Sequence, residues 1–191
     1  MSCVQTISGI LRDCAPSMGG IKRAWVANYD DVAAITETTG KVSGLTMESG
    51  KTFKEFAFRK GSSSFTSTLN VDAANGVSYV STEINLVFSK MESQKRVEMA
   101  ALAVGELAVI VEDMNGTLWY FGKDEAVVAS AGDGQTGVAR TDRNGYSITL
   151  LDNSASFPLE ATSDALDDAL ELNTFSNNPE NVSHSFMSNS L

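Results

Sequence analysis

His184 is the only histidine in this chain of 191 residues, and it stands in a Ser- and Asn-rich stretch with no cysteine near it. A Ser-His-Asp triad, a Cys-His pair or a multi-histidine metal site needs an imidazole beside its partners, so none is expected. Cys3 and Cys14 are the only cysteines and lie near the N terminus. Two widely spaced thiols make neither a four-ligand zinc site nor a disulfide framework, and whether they pair stays open on spacing alone. Gly132-Asp-Gly134-Gln-Thr-Gly137 matches GxGxxG literally. A dinucleotide fold places a helix after those glycines to receive the pyrophosphate, whereas here β-type residues and a turn follow, so the segment reads as a flexible β connection. Asp113-x-Asn-Gly and Asp142-x-Asn-Gly begin like calcium loops but lack the distal Glu and other oxygen ligands, so both read as turns. Asp167 and Asp168 have no recognisable catalytic surroundings, and Trp25 and Trp119, far apart in sequence, are expected to pack internally. The expectation is a protein that is not an enzyme and holds neither cofactor nor metal.

The remaining information lies in charge and periodicity. Fourteen Lys and Arg against 24 Asp and Glu leave a net charge of −10, which does not suit a protein gripping phosphates along a basic face. No apolar run approaches the ~20 residues of a membrane span. The opening residues lack a basic cluster ahead of their short apolar stretch, which argues against a secretory signal peptide of the usual layout. No Lys or Arg follows Arg143, while Glu160, Asp164, Asp167, Asp168, Glu171 and Glu180 crowd the end of the chain. The organisation expected is an N-terminal arm over 1–17, one β domain over 18–160, and an acidic, Ser/Asn-rich C-terminal extension over 161–191. A short helix over 162–172 is expected at its start, with ordering on a partner beyond it.

Pro16, Pro158 and Pro179 are the only prolines, so residues 17–157 can donate every backbone amide to a ladder. In residues 62–72, Phe65, Leu69 and Val71 share one parity, with Thr66, Thr68, Asn70 and Asp72 on the other. In residues 80–88, Val80, Ile84, Leu86 and Phe88 alternate with Ser81, Glu83 and Asn85. Each run therefore has one buried and one wet face, and Asn75-Gly76 turns between them. Further strands are expected over 21–29, 42–47, 106–112, 117–122, 125–131, 136–141 and 146–151. The pattern predicts an antiparallel sandwich or barrel.

One segment breaks the period of two. Ser89-Lys-Met-Glu92 has the form of a capping box, and residues 94–103 suit a helix whose apolar side is Met91, Val97, Ala101 and Leu102, ending near Gly105. Residues 51–64 mix Lys51, Lys54, Arg59 and Lys60 with Phe53, Phe56 and Phe58, and read as a long projecting hairpin.

The run Tyr79-Val-Ser-Thr-Glu-Ile-Asn-Leu-Val-Phe-Ser-Lys, the helix through Arg96 and Ala101, and Gly105-Glu-Leu-Ala-Val-Ile-Val-Glu-Asp-Met-Asn-Gly-Thr-Leu-Trp-Tyr-Phe-Gly122 together resemble the tail-tube proteins of tailed bacteriophages. Gly137-Val-Ala-Arg-Thr-Asp-Arg-Asn-Gly-Tyr-Ser-Ile-Thr-Leu-Leu151, ending near Phe157-Pro-Leu-Glu160, is similar to the closing hairpin of that fold. The resemblance covers residues 77–160 and, in layout only, 18–70. It implies a mainly β protein, an antiparallel β-sandwich or half-barrel with one flanking α-helix and a long projecting loop, assembling into a homohexameric ring. Rings would stack into a tube that conducts DNA, with other virion tail or connector proteins as partners, in a virion tail made in the host cytoplasm. It further implies that Thr66, Thr68, Asn70, Asp72, Ser81, Glu83 and Asn85 face the lumen. By the same analogy Lys51, Phe53, Lys54, Phe56, Phe58 and Arg59 would reach a neighbouring subunit. Alternatives are the tube of a contractile injection system, a head–tail connector ring or, in a different class, a β-sandwich binding module for glycans or a partner protein.

Overall fold

The computed structural model describes residues 9, 10, 14–58 and 61–170. Among them the chain forms β1 (Ile21–Asn28), a single 3-10 turn (Tyr29–Asp31), β2 (Val32–Thr38), β3 (Lys41–Met47), β4 (Lys54–Phe56), β5 (Ser64–Asp72), β6 (Val77–Ser89), α1 (Ser93–Val104), β7 (Leu107–Asp113), β8 (Leu118–Phe121), β9 (Val128–Gln135), β10 (Gly145–Ser154), β11 (Leu159–Ala161) and α2 (Ser163–Ala169). The strands make two sheets. The larger runs β2-β3-β11-β8-β7-β1-β4 and the smaller β5-β6-β10-β9. Every neighbouring pair is antiparallel except β3 with β11.

Strand β7 explains why the larger sheet is central. Its residues Leu107 through Glu112 are all buried, the run of apolar residues expected of a strand covered on both faces. Leu107, Val109 and Val111 meet Ile84, Leu86, Phe88, Ile148 and Leu150 from the smaller sheet. Ala108 and Ile110 point the other way, into a second cluster with Trp25, Val42, Phe53 and Tyr120, closed by Ala165 and Ala169 of α2. The fold is thus a mainly β two-sheet sandwich with one short helix sealing its far side.

The short helix expected over 162–172 forms as α2, but as a second helix flanking the sheets: Ala165 and Ala169 are in the core, so the packed body runs through α2 instead of ending at 160. Thr162 caps α2 by accepting the Ala165 N–H at 3.2 Å, and Ala165 and Ala169, one turn apart, are fully buried. The Phe53 N–H donates to the Ala169 carbonyl at 3.1 Å, so the end of α2 is held against the segment leading into β4.

The projecting hairpin over 51–64 is likewise corrected. Phe53 is core, β4 pairs along β1 with Trp25 opposite Glu55, and Phe56 and Phe58 make edge-on ring contacts with Phe88. Three phenylalanines in one segment recover more free energy under the sheets than in water, so the segment lies down.

Local chemistry accounts for the other differences. No strand forms over 136–141, because Asp142 Oδ2 accepts the Val138 and Ala139 N–H groups at 2.8 and 2.7 Å and folds that stretch into a loop. Strand β9 instead begins later than expected and continues to Gln135. Gly145 is the first residue of β10; a Cβ there would sit 1.9 Å from the Phe88 carbonyl oxygen, which only glycine avoids. The GxGxxG glycines have a packing reason too, since a Cβ on Gly134 would meet the Tyr146 ring at 2.8 Å. Helix α1 is not started by Ser89, which still belongs to β6; Glu92 occupies the cap position without a side-chain cap bond. Strand β2, unforeseen, is a sheet edge with hardly any burial and hence little periodicity to read. No helix among the described residues is long and apolar enough to cross a membrane.

Candidate functional site

The smaller sheet has one face in the core and one in water. Along β6, Val80, Thr82, Ile84, Leu86 and Phe88 are buried, while Ser81, Glu83 and Asn85 alternate with them on the wet face. The β5–β6 register sets Thr66 opposite Glu83, Thr68 opposite Ser81, Asn70 opposite Tyr79 and Asp72 opposite Val77. Thr66, Thr68, Asn70, Asp72, Ser81, Glu83 and Asn85 therefore share one surface, although the first four and the last three come from different strands. Ser147, Thr149 and Asn153 of β10 extend it, with Thr149 opposite Asn85 and Asn153 opposite Ser81. Asn85 Oδ1 is shielded there without a hydrogen-bond partner among the described residues.

This face is electrostatically one-sided. None of β5, β6, β9 and β10 contains a Lys or Arg. At the β9 margin Arg143 reaches back from the 136–144 loop and pairs with Asp133 at 2.7 Å, Ser147 also donating to that carboxylate. At the other end a shallow open depression of about 820 Å³ is lined by Tyr79, Ser81, Leu151 and Asn153 with Asp124 and Glu125 at its rim. Asp152, beneath the rim, is held up by burial, partly opposed by the Gly122 N–H that it accepts at 3.1 Å and reinforced by Asp124 and Glu125. Asp72 is held below the usual range by the Asn75 side chain and the N–H groups of Asn75 and Ala74, the bonds that close the hairpin turn.

Strands β5 and β9 are the margins of this sheet, and neither has a strand on its outer side among the described residues. The nine residues of β5 carry no proline and no base, leaving an edge able to accept another strand. The element that stands out from the sandwich is the β5–β6 tip: Leu69, Val71, Val77 and Tyr79 are all exposed.

Of the residues assigned to an inter-subunit loop, Phe53 is in the core, Phe56 and Phe58 pack against it, Lys51 bonds Asp31 at 3.1 Å, and Lys54 bonds Thr52 at 2.8 Å. Arg59, like Cys3 and His184, falls outside the described residues. The sequence reading missed the β5–β6 tip as the protruding element; its unpaired signal was Val71 and Val77 flanking a polar turn that no sheet faces. Among the described residues no group of three or more His, Cys, Asp and Glu is arranged to hold a metal ion. Trp25 is buried, and Trp119 is half-buried against Phe65. The arrangement offers hydrogen bonding and negative charge over a broad face.

No protein-family model matches the chain, no curated protein matches it, and no solved structure matches its fold.

Proposed function

We propose that this chain is a structural virion subunit that assembles into a ring, and by stacking into a tube, forming the DNA conduit of a bacteriophage tail. The observation that carries the reading is the smaller sheet: a hydroxyl-rich, acidic face with no Lys or Arg in its strands and with Arg143 held by Asp133 at one margin, bounded by two margins without strand partners among the described residues. Four strands alternate in direction, so copies related by rotation bring β9 of one beside β5 of the next in antiparallel sense, and pairing continues from copy to copy. Closing the circle satisfies edges that would otherwise invite uncontrolled association. With the wet face turned inward, threonine and serine hydroxyls, Glu83 and Asp72 meet the passing polyphosphate. With no Lys or Arg in its strands and Arg143 neutralised by Asp133, such a wall releases few counterions on contact and retains DNA weakly.

In this reading the partners are further copies, in a ring of six by analogy with tail-tube proteins, then neighbouring tail or connector proteins, with DNA in transit. The site of action is the virion tail, after assembly in the host cytoplasm.

Negative-stain microscopy and sedimentation of the purified full chain test the proposal. Rings or tubes with a central channel are the expected result. A strictly monomeric species at high concentration, under every salt and pH condition tried, overturns it.

A further inference from the structure

Two apolar surfaces of this chain have no cover within it. Helix α1 docks through Leu102 and Met99. Its opposite side carries Val97, Ala100, Ala101 and Val104, spaced i, i+3, i+4 and i+7 and all exposed, Val97 at 57% and Val104 at 88%. A helix lying on a protein surface is ordinarily polar on its outward side; this one is apolar on both. The second surface is the β5–β6 tip. Leu69 and Val71 continue the core-facing parity beyond the point where the larger sheet covers it, and Val71 is 64% exposed; Val77 and Tyr79 are exposed on the other face.

The two surfaces cannot cover each other in one copy. The groove beneath α1 is lined by Met99, Ala103, Tyr146 and Ile148, and Ile148 lies opposite Leu86. From there to Val77 is roughly 30 Å along β6 at ~3.3 Å per residue. Their charges allow one specific pairing: the tip carries Asp72 and no base, while Arg96 flanks one side of the stripe on α1, with Glu98 on the other, and makes no ion pair among the described residues.

We propose that the β5–β6 tip of one copy docks on the outward side of α1 of a second copy. This rests on the reading of the chain as a self-assembling ring subunit and adds the contact that stacks one ring on the next. Tip and helix lie at opposite ends of the strand direction, so the contact is heterologous and propagates along the strands, whereas β5–β9 pairing propagates across them.

Full-length chains carrying Val71→Asp or Val104→Asp test this by microscopy and sedimentation. Both sites are exposed, and thermal melts check that each variant folds like the wild type; Leu69→Asp and Val97→Asp are a second pair. Each variant alone is expected to form single rings, with the stacked fraction falling about tenfold or more because a carboxylate is placed in an apolar contact. Mixing the two variants is expected to yield paired rings that grow no further, since each supplies one intact surface. The docking is overturned if either variant stacks as the wild type does, if the mixture stays as single rings, or if wild-type rings never stack. Absence of rings in the wild type instead removes the self-assembly reading itself.

Discussion

Glu112 is buried, and its carboxylate takes Lys22 Nζ at 2.5 Å and Arg23 Nε at 2.8 Å from strand β1. Burial pushes its pKa up, but the two cationic hydrogen bonds outweigh that and hold it below its ordinary 4.5. A carboxylate whose folded pKa is depressed contributes stability that is present above its unfolded pKa and lost as pH falls through the folded value. Both partners are substantially exposed, so water screens part of the attraction. Glu112→Gln is expected to cost about 1–2 kcal/mol at pH 7, with the gap to wild type closing as pH falls below about 4.5. Urea unfolding of both proteins across pH 3 to 7 checks this; a gap independent of pH contradicts it. Burial acts on Asp152 without such compensation: its pKa is raised, because the Gly122 amide and the Ser154 side chain offset burial only in part and Asp124 and Glu125 add to it. Depression or elevation at these two sites thus follows from what meets the carboxylate.

At the scale of elements, α2 is seven residues long and could not persist alone, since an isolated helix of that length does not repay its nucleation. Its stability is tertiary: Ala165 and Ala169 fill the second cluster beside Val42 and Phe53. Ala165→Asp is expected to destabilise the whole sandwich by at least about 3 kcal/mol, because an unpaired carboxylate would be forced among apolar side chains. Asp164→Ala, at an exposed position of the same helix, is expected to change stability by less than about 0.5 kcal/mol. Thermal melts of the two variants compare them directly; equal effects would remove α2 from the cooperative fold. Helix α1 is the contrasting element. Twelve residues long, it contributes little burial beyond Leu102 and Met99, so its apolar outward side is available for association.

At the scale of the whole molecule the bases of the larger sheet are met by acids beside them, Lys22 and Arg23 by Glu112, Lys41 by Glu160 and Lys51 by Asp31. The outward face of the smaller sheet has hydroxyls and acids, with Arg143 held by Asp133 at its margin. If that face lines a channel, adding bases to it should convert a passive wall into an adhesive one. Assembled Thr66→Lys/Glu83→Lys protein is expected to retain DNA that the wild type releases, with affinity falling steeply as salt rises, by a log–log slope of ~0.9 per phosphate contact. Fluorescence anisotropy over a salt series measures this, and unchanged binding would remove the face from the DNA path. The sequence by itself determined the alternating runs over 62–72 and 80–88, which form strands over 64–72 and 77–89, their polar parity and their turn at Asn75-Gly76, because period, turn chemistry and hydrogen-bonding capacity are local properties. It also indicated the Asp113 turn, whose carboxylate accepts the Asn115 and Thr117 amides at 2.8 and 2.9 Å. Only the tertiary structure decided that Phe53 lies in the core, that α2 belongs to the body, that Val97 and Ala101 face outward, and that the protruding element is the β5–β6 tip. Those outcomes depend on which distant surface arrives to cover a given side chain, as Ala169 does for Phe53, and the apolar character of a residue states only that it needs cover.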